Sequence, residues 1–435
     1  MSDTSFVRLE MLPGREPPAN KTGVMRWLQE NLFSSWLNSV LTILSAGLII
    51  YSLNFLLSWA ISPTWNATSL ANCREILHDI GRNGHFTGAC WGVIRERWIQ
   101  ILFGFYPSEL YWRPILTLML LFVALSRILF ADKVPHQLIW LTAVYPFLMP
   151  WLLWGGSIWV PVSVATGLTA GFYTYVLVSR NSSSFAALLA TIAVALFWVI
   201  WAGGQFADAL SSLVLIELEP VASRKFGGMM LSVTIGVVAI GFSLPIGIVL
   251  ALGRQSNLLI VKALCTGFIE FIRGVPLITL LFVASTLLNI FMPPGTEFDI
   301  IMRVIIMVTL FASAYMAETI RGGLAALPRG QYEGADSLGL TYWQSRRLII
   351  MPQALKISIP GIVSTFINLF KDTTLVSVIG LLDPLGLSTA IRADADWNGI
   401  VWELYGFIAL LFFIACFSMS RYSMYLERRL QTGLK

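Results

Sequence analysis

Residues 321–357 read RGGLAALPRGQYEGADSLGLTYWQSRRLIIMPQALKI, a polar and punctuated stretch lying between long apolar runs. Pro328 and Gly330 mark its break points. After them Tyr332, Ala335, Leu338 and Tyr342 recur at spacings of three, three and four, the spacing of one face of a short helix. Glu333 and Asp336 are expected near the N-terminal end of that helix and Arg346 and Arg347 beyond it, where each sign suits the helix dipole. Gly339 is expected either to interrupt the helix or to let another backbone come close.

The surroundings of this stretch fix the class of protein. Charged residues make up 12% of the 435, against about 25% in a soluble domain. Hydrophobic residues reach 56% and mean hydropathy is +0.74. Crossing a hydrocarbon layer about 30 Å thick takes roughly 20 helical residues. Runs of that length are expected as spans at 36–60, 113–131, 137–155, 158–178, 185–204, 227–252, 268–292, 300–320, 358–382 and 401–425. The expected fold is therefore an all-α integral membrane protein, a helical bundle of about 10 spans. The first 35 residues are polar and mixed in charge, without a cleavable signal pattern.

Orientation follows from Lys and Arg, which gather on cytoplasmic loops. With the N-terminus inside, cytoplasmic segments hold 19 of the 29 basic residues, including those of 321–357. Both termini are then cytoplasmic, and the net charge of +5 belongs to these loops rather than to a nucleic-acid surface. The one sizeable external loop, 61–110, contains Cys73 and Cys90; in an oxidising compartment they form a disulfide, or else remain two free, partly buried thiols. Trp65, Trp91, Trp98, Tyr106, Tyr111 and Trp112 in and around it suit a segment anchored at the membrane interface.

The polar stretch resembles the EAA loop of ABC importer permeases: Glu-Ala-Ala, three residues, Gly, nine residues, Ile, one residue, Leu-Pro. Glu333, Ala335, Gly339, Ile349 and Pro352 match at that spacing, with Gly334 in place of Ala and Met351 in place of Leu. Gly334 should loosen the helix by up to about 1 kcal/mol relative to Ala. The resemblance spans about 226–425. IEFIRGVPL (269–277), AETIRGG (317–323), LPRGQYEGADSLGL (327–340), MPQALKISIPG (351–361) and LFKDTTLVSVIG (369–380) look like the polar amino acid subfamily. GACWGVI (88–94) and the long N-terminal part look like its M-type general L-amino acid permeases, although the apolar material between 158 and 225 exceeds the expected connection.

The resemblance implies a cytoplasmic segment 1–35, a membrane extension 36–225, a type I importer core of five helices over 226–425 and a cytoplasmic tail 426–435. It implies an inner-membrane permease for polar L-amino acids, paired with an identical or different permease and fed by a periplasmic amino acid-binding protein. ATP and Mg would be used by separate ATPase subunits, each gripping one loop through Tyr332, Glu333, Gly334, Ala335, Asp336, Leu338, Gly339 and Tyr342. On the residues alone, the plainer reading is a loop helix folded back on its own bundle.

Charges in spans are costly and kept for a reason. Glu270 with Arg273, and Glu318 with Arg321, each lie three apart and are expected as ion pairs fixing helix ends. Lys371 and Asp372 either pair or line a path, with Asn368, Thr373 and Thr374 as polar neighbours. No GxxxxGK[ST] phosphate loop, HExxH or CxxC occurs, and His78, His85 and His136 are the only histidines, so no cofactor, metal or catalytic role is expected of this chain. The competing expectation is a secondary amino acid transporter driven by an ion gradient.

Overall fold

The structure, a computed structural model, describes residues 23–80, 88–287, 290 and 298–431. The chain forms two compact units divided at Gly92 and Val93. The first contains α1 (Val24–Asn31), α2 (Trp36–Ala60) and α3 (Leu70–Ile80). Ser35 opens α2, its side chain accepting from the Asn38 N–H and so satisfying one of the donors a helix start leaves free.

The second unit opens with α4 (Gly92–Phe103), followed by α5 (Trp112–Leu129), α6 (Ile139–Trp154) and α7 (Trp159–Asn181). α8 (Ser184–Phe197) passes through one π-turn into α9 (Gly203–Leu213). Two residues at the head of α7, Gly156–Ser157, pair antiparallel with Glu217–Leu218. Then come α10 (Gly228–Arg254), α11 (Leu259–Gly274) and α12 (Leu277–Phe282), and α13 (Ile300–Ala325) begins where Asp299 accepts from the Ile301 and Met302 N–H groups.

Among the described residues nine helices are long and apolar enough to cross a membrane. Two further pieces, Leu259–Gly274 and Leu277–Leu287, are apolar enough only when taken together and are bent by 102° at their junction. The straight span expected at 268–292 is corrected by this bend, and its expected end lies outside the described residues. The cause is Pro276: it lacks an N–H and pushes Val275 to φ −105°, ψ 132°, outside the helical region. Pro146, Pro150, Pro245 and Pro360, by contrast, stay inside helices.

Parts of α5, α6, α10, α12 and α13 come together in an apolar cluster, in which Tyr106, Leu121 and Leu153 meet Phe226, Leu231, Val304 and Val376. Helix α13 packs on α10 and on α16 (Met351–Asp372), and α16 packs on α18 (Trp402–Gln431). At Gly323 a Cβ would lie 2.5 Å from the Ala354 carbonyl oxygen, so the residue must be glycine for α13 and α16 to approach there.

At the end of the bundle that carries α4, Asp383 is fully buried and caps α17 (Pro384–Arg392), accepting from Leu385 N–H at 3.1 Å and Gly386 N–H at 2.9 Å. Burial outweighs these bonds and pushes its carboxyl up to about 6. The folded state thus holds a proton more tightly than the unfolded chain, so this contribution to stability declines as pH rises from the ordinary carboxylate value through about 6. Thermal unfolding of wild type and Asp383→Asn across that window should show wild type gaining relative to the variant on acidification. Parallel curves would refute it.

Candidate functional site

Residues 326–350 form a compact helical hairpin between α13 and α16. Helix α14 (Arg329–Ser337) starts after Pro328 and ends at Gly339, which takes φ +69°. There Gly339 N–H donates to Asp336 O at 2.9 Å and Leu340 N–H to Ala335 O at 3.3 Å, the pair of bonds that closes a helix when the residue past its cap is left-handed. Nothing lies within 4 Å of a Cβ at Gly339, so its conformation, not close approach of another backbone, is what glycine provides.

Helix α15 (Tyr342–Ser345) starts with a capping box, Thr341 and Gln344 exchanging side-chain and backbone bonds. A π-turn at Arg346–Ile350 leads directly into α16, so that one helical rod runs from Tyr342 to Ile379. At 1.5 Å per residue such a rod is about 57 Å long, well beyond the hydrocarbon thickness. Its lower part therefore extends outside the membrane, and the hairpin sits on a continuous lever.

The expected four-residue stripe is corrected by this geometry. Tyr342 lies beyond the Gly339 break, on a second helix, and Leu338 is the cap of the first. Only Ala335 is buried, with Tyr332 half-buried beside it against the cluster of Ile320, Leu324, Leu327 and Ile350. Tyr332 Oη donates to Leu324 O at 3.2 Å. Leu338 is 74% exposed and Trp343 70% exposed, while Tyr342 and Leu348 are also exposed. The expected dipole match fails as well, because α14 starts at Arg329 and has no acid in its first turn; Glu333 is mid-helix and Asp336 lies in its last turn.

Arg346, expected only to complement the helix dipole, has a second role that its sequence position did not suggest. Its guanidinium carbon lies 5.0 Å from the ring centre of Tyr332 on α14 and 5.0 Å from that of Tyr342 on α15. Its Nη1 is buried without a hydrogen-bond partner, so the two rings are its main company. The side chain joins the two halves of the hairpin at the root of the rod. Two tyrosines ten residues apart, with an arginine four residues past the second, were the available signal.

At the same end of the bundle five charges converge from three helices. Glu318 accepts from Arg321 at 2.5 Å, from Arg254 at 3.2 Å and pairs with Arg273 at 3.6 Å, while Arg254 also pairs with Glu270 at 2.9 Å. The expected Glu270–Arg273 pair is thereby replaced by bonds between helices, because Arg254 at the end of α10 comes between them. Arg273 also lies over the Tyr315 ring at 5.6 Å. These groups are partly exposed, so the network orients helix ends more than it stabilises the fold.

Near the other end of α16, Ser364, Asn368 and Lys371 share one exposed face at spacings of four and three. Asp372 is half-buried and, like Lys371, has no opposite charge within ion-pair distance among the described residues. Thr373 and Thr374 are spent on their own helix, their hydroxyls donating to Phe370 O and Lys371 O at 2.8 Å.

In the first unit the structure joins Cys73 to Cys90, with Cα atoms 5.9 Å apart, and leaves Cys265 and Cys416 free. Trp65 and Trp91 stack with centroids 5.6 Å apart, and Trp91 Nε1 donates to Ala60 O at 2.7 Å, so these rings brace the unit. Among the described residues no group of three potential ligands could hold a metal. His85 lies outside them.

The family described as "Binding-protein-dependent transport system inner membrane component" matches residues 243–432. The glutamate/glutamine/aspartate/asparagine transport system permease protein BztC of Rhodobacter capsulatus is 56% identical over 99% of both chains. The inner membrane amino-acid ABC transporter permease protein YhdY of Escherichia coli is 39% identical over 97% of both. A crystal structure of an amino acid ABC transporter with histidines aligns with 46% of this chain and 90% of its own at 30% identity, with a TM-score of 0.42.

Arg346→Ala should loosen the hairpin by about 1–2 kcal/mol, the value of two partly desolvated cation–π contacts. Hydrogen exchange over 329–345 should accelerate while the spans stay protected, and Arg346→Lys, lacking a planar group, should restore little. Unchanged exchange would exclude the clamp. Separately, mass spectrometry should find Cys73 and Cys90 alkylated only after reduction; labelling without reductant would exclude their bond.

Proposed function

The chain belongs to the binding-protein-dependent family of ABC importer permeases, and from that premise we propose that it carries polar L-amino acids inward across a bacterial inner membrane with both termini cytoplasmic. It is a transport subunit and not an enzyme, working with an ATPase and a substrate-binding protein. Family membership sets aside the ion-gradient alternative. The cargo class follows the named substrates of its relatives, glutamate, glutamine, aspartate and asparagine for BztC.

The observation that carries the coupling role is the apolar tip of the hairpin. Leu338 and Trp343 are exposed on a loop otherwise rich in charge, and the segment that bears them is closed by Gly339, capped by Thr341 and clamped by Arg346. An exposed apolar tip on a rigid support is the form of a helix docked in a partner's groove. Tyr332 and Ala335 serve as its anchor to this chain, whereas Glu333, Leu338, Tyr342 and Trp343 face the ATPase. ATP and Mg act there, and each ATPase grips one hairpin.

Closure of the two ATPases draws two hairpins together. Each hairpin continues into the rod Tyr342–Ile379, so displacement at the tip becomes a tilt of the span. A second permease, identical or different, completes the path. The face of Ser364, Asn368 and Lys371, with Asp372 beside it, supplies polar groups for a zwitterion's two charges. The extension 36–225 precedes the importer core 226–425 along the chain.

Gly339→Val forces a β-branched residue into a left-handed conformation at a cost of about 1–2 kcal/mol, and Glu333→Lys reverses a charge on the docking surface. Both variants should insert normally. In reconstituted vesicles with ATPase, partner permease and binding protein, ATP hydrolysis should continue with little uptake. Uptake at wild-type rates by both variants would overturn the coupling role.

A further inference from the structure

At the end of the bundle remote from the hairpin, α4, α5, α6 and α10 enclose a cleft of about 90 Å³. It runs from Leu118, which is exposed, to Leu153, Leu121 and Met149, which are buried. Three polar side chains reach it, and each hydroxyl is already engaged. Thr117 Oγ1 donates to Arg113 O at 2.8 Å, Thr234 Oγ1 to Met230 O at 2.8 Å and Tyr145 Oη to Thr117 O at 3.3 Å. A zwitterionic cargo would find no free donor or charge there, and leaving its own groups unpaired would be costly.

The mouth of the cleft adjoins surface that faces lipid. On α5, Met119 is 61% and Phe122 65% exposed, following Leu118 along the same apolar helix. Trp112, exposed at the start of α5 with the Arg113 guanidinium 5.7 Å from its ring centre, is the residue type that sits at headgroup depth. Inward from Trp112, the α5 residues Leu118 and Leu121 take the depth of a lipid tail. Met149, Met229 and Met230 line the cleft with unbranched side chains that adapt to a flexible occupant.

We propose that this cleft takes a short stretch of an acyl chain of a phospholipid from the leaflet on the α4 side, the rest of the tail lying in the bilayer, between α5, α6 and α10. The site requires only that the helices be embedded in a bilayer, so it stands apart from the identity of the cargo and from the ATPase contact. The occupant is a tail, fixed by shape and the absence of free polar groups, and its headgroup lies at the level of Trp112.

The test uses the full transporter complex in vesicles containing phosphatidylethanolamine with a diazirine in one acyl chain. After detergent extraction and washing, followed by illumination, label should concentrate on peptides bearing Met149 and Val233 and be absent from those bearing Phe172 and Tyr173, which are exposed on α7 away from the cleft. Val233→Trp, which fills the cleft, should lower the retained label several-fold, and Val123→Trp on the exposed face should not. Should Val233→Trp fail to assemble, competition on wild type by excess unlabelled phospholipid decides, since a real site releases its label before illumination. Uniform labelling of all lipid-facing peptides, or cross-linking of the cleft to the second permease instead of lipid, would overturn the proposal.

Discussion

Hydrocarbon offers a backbone no hydrogen-bond partners, and this constraint orders the whole chain. Within a span each N–H must find a carbonyl of its own helix, so irregular backbone is displaced to the ends. Two features sit inside apolar segments instead, the π-turn at Trp198–Ala202 and the bend at Pro276, and there the helix pattern is kept up on both sides of the irregularity. The bend at Pro276 and the glycine closure at Gly339 fall where two helices meet, and the polar side chains inside spans turn back on their own helices, as Thr117, Thr234 and Thr373 do. What remains free to interact lies at the two ends of the bundle and along the exposed face of α16.

At one end the consequence is mechanical. A loop of nearly forty residues in other circumstances would transmit no force, because its conformational entropy would absorb any displacement. The hairpin avoids this by having little loop in it. Its two short helices are closed by opposite devices, a left-handed glycine and a capping box, and Arg346 holds their tyrosines against one another. Below them the Glu318 cluster ties the ends of α10, α11 and α13, and Gly323 brings α13 against α16. Displacement of the tip is therefore shared by several spans instead of being lost in one.

Much of this was readable in the sequence because it depends on local chemistry. Apolar length gives the spans, and the small φ > 0 preference of glycine marks the end of α14 at Gly339. Pro276 could have signalled the bend by the same logic, but four other prolines lie within helices, and only packing decides which proline breaks its helix. The stripe Tyr332, Ala335, Leu338 and Tyr342 satisfied a helical period that the chain does not sustain, since the period is blind to a break after Leu338. Of the two expected ion pairs, Glu318–Arg321 forms as its spacing of three predicts, whereas Glu270–Arg273 gives way for a related reason: spacing identifies partners on one helix, and Arg254 arrives from another, 64 residues from Glu318 in sequence. Contacts of that range carry no local signature.

The same reasoning explains why the loop's functional face differs from its sequence motif. A motif residue in such a hairpin can serve either the fold or the partner, and burial separates the two. Ala335 has no exposed surface left to offer, and Tyr332 is occupied by Arg346 and by the Leu324 carbonyl. Their residue types are demanded from within, by the need to seat α14 on α13. Leu338 and Trp343 have no such internal duty, yet they are large and apolar in a loop that meets water. Retaining them there makes physical sense when a second surface covers them, and the rod behind them gives that surface something to move.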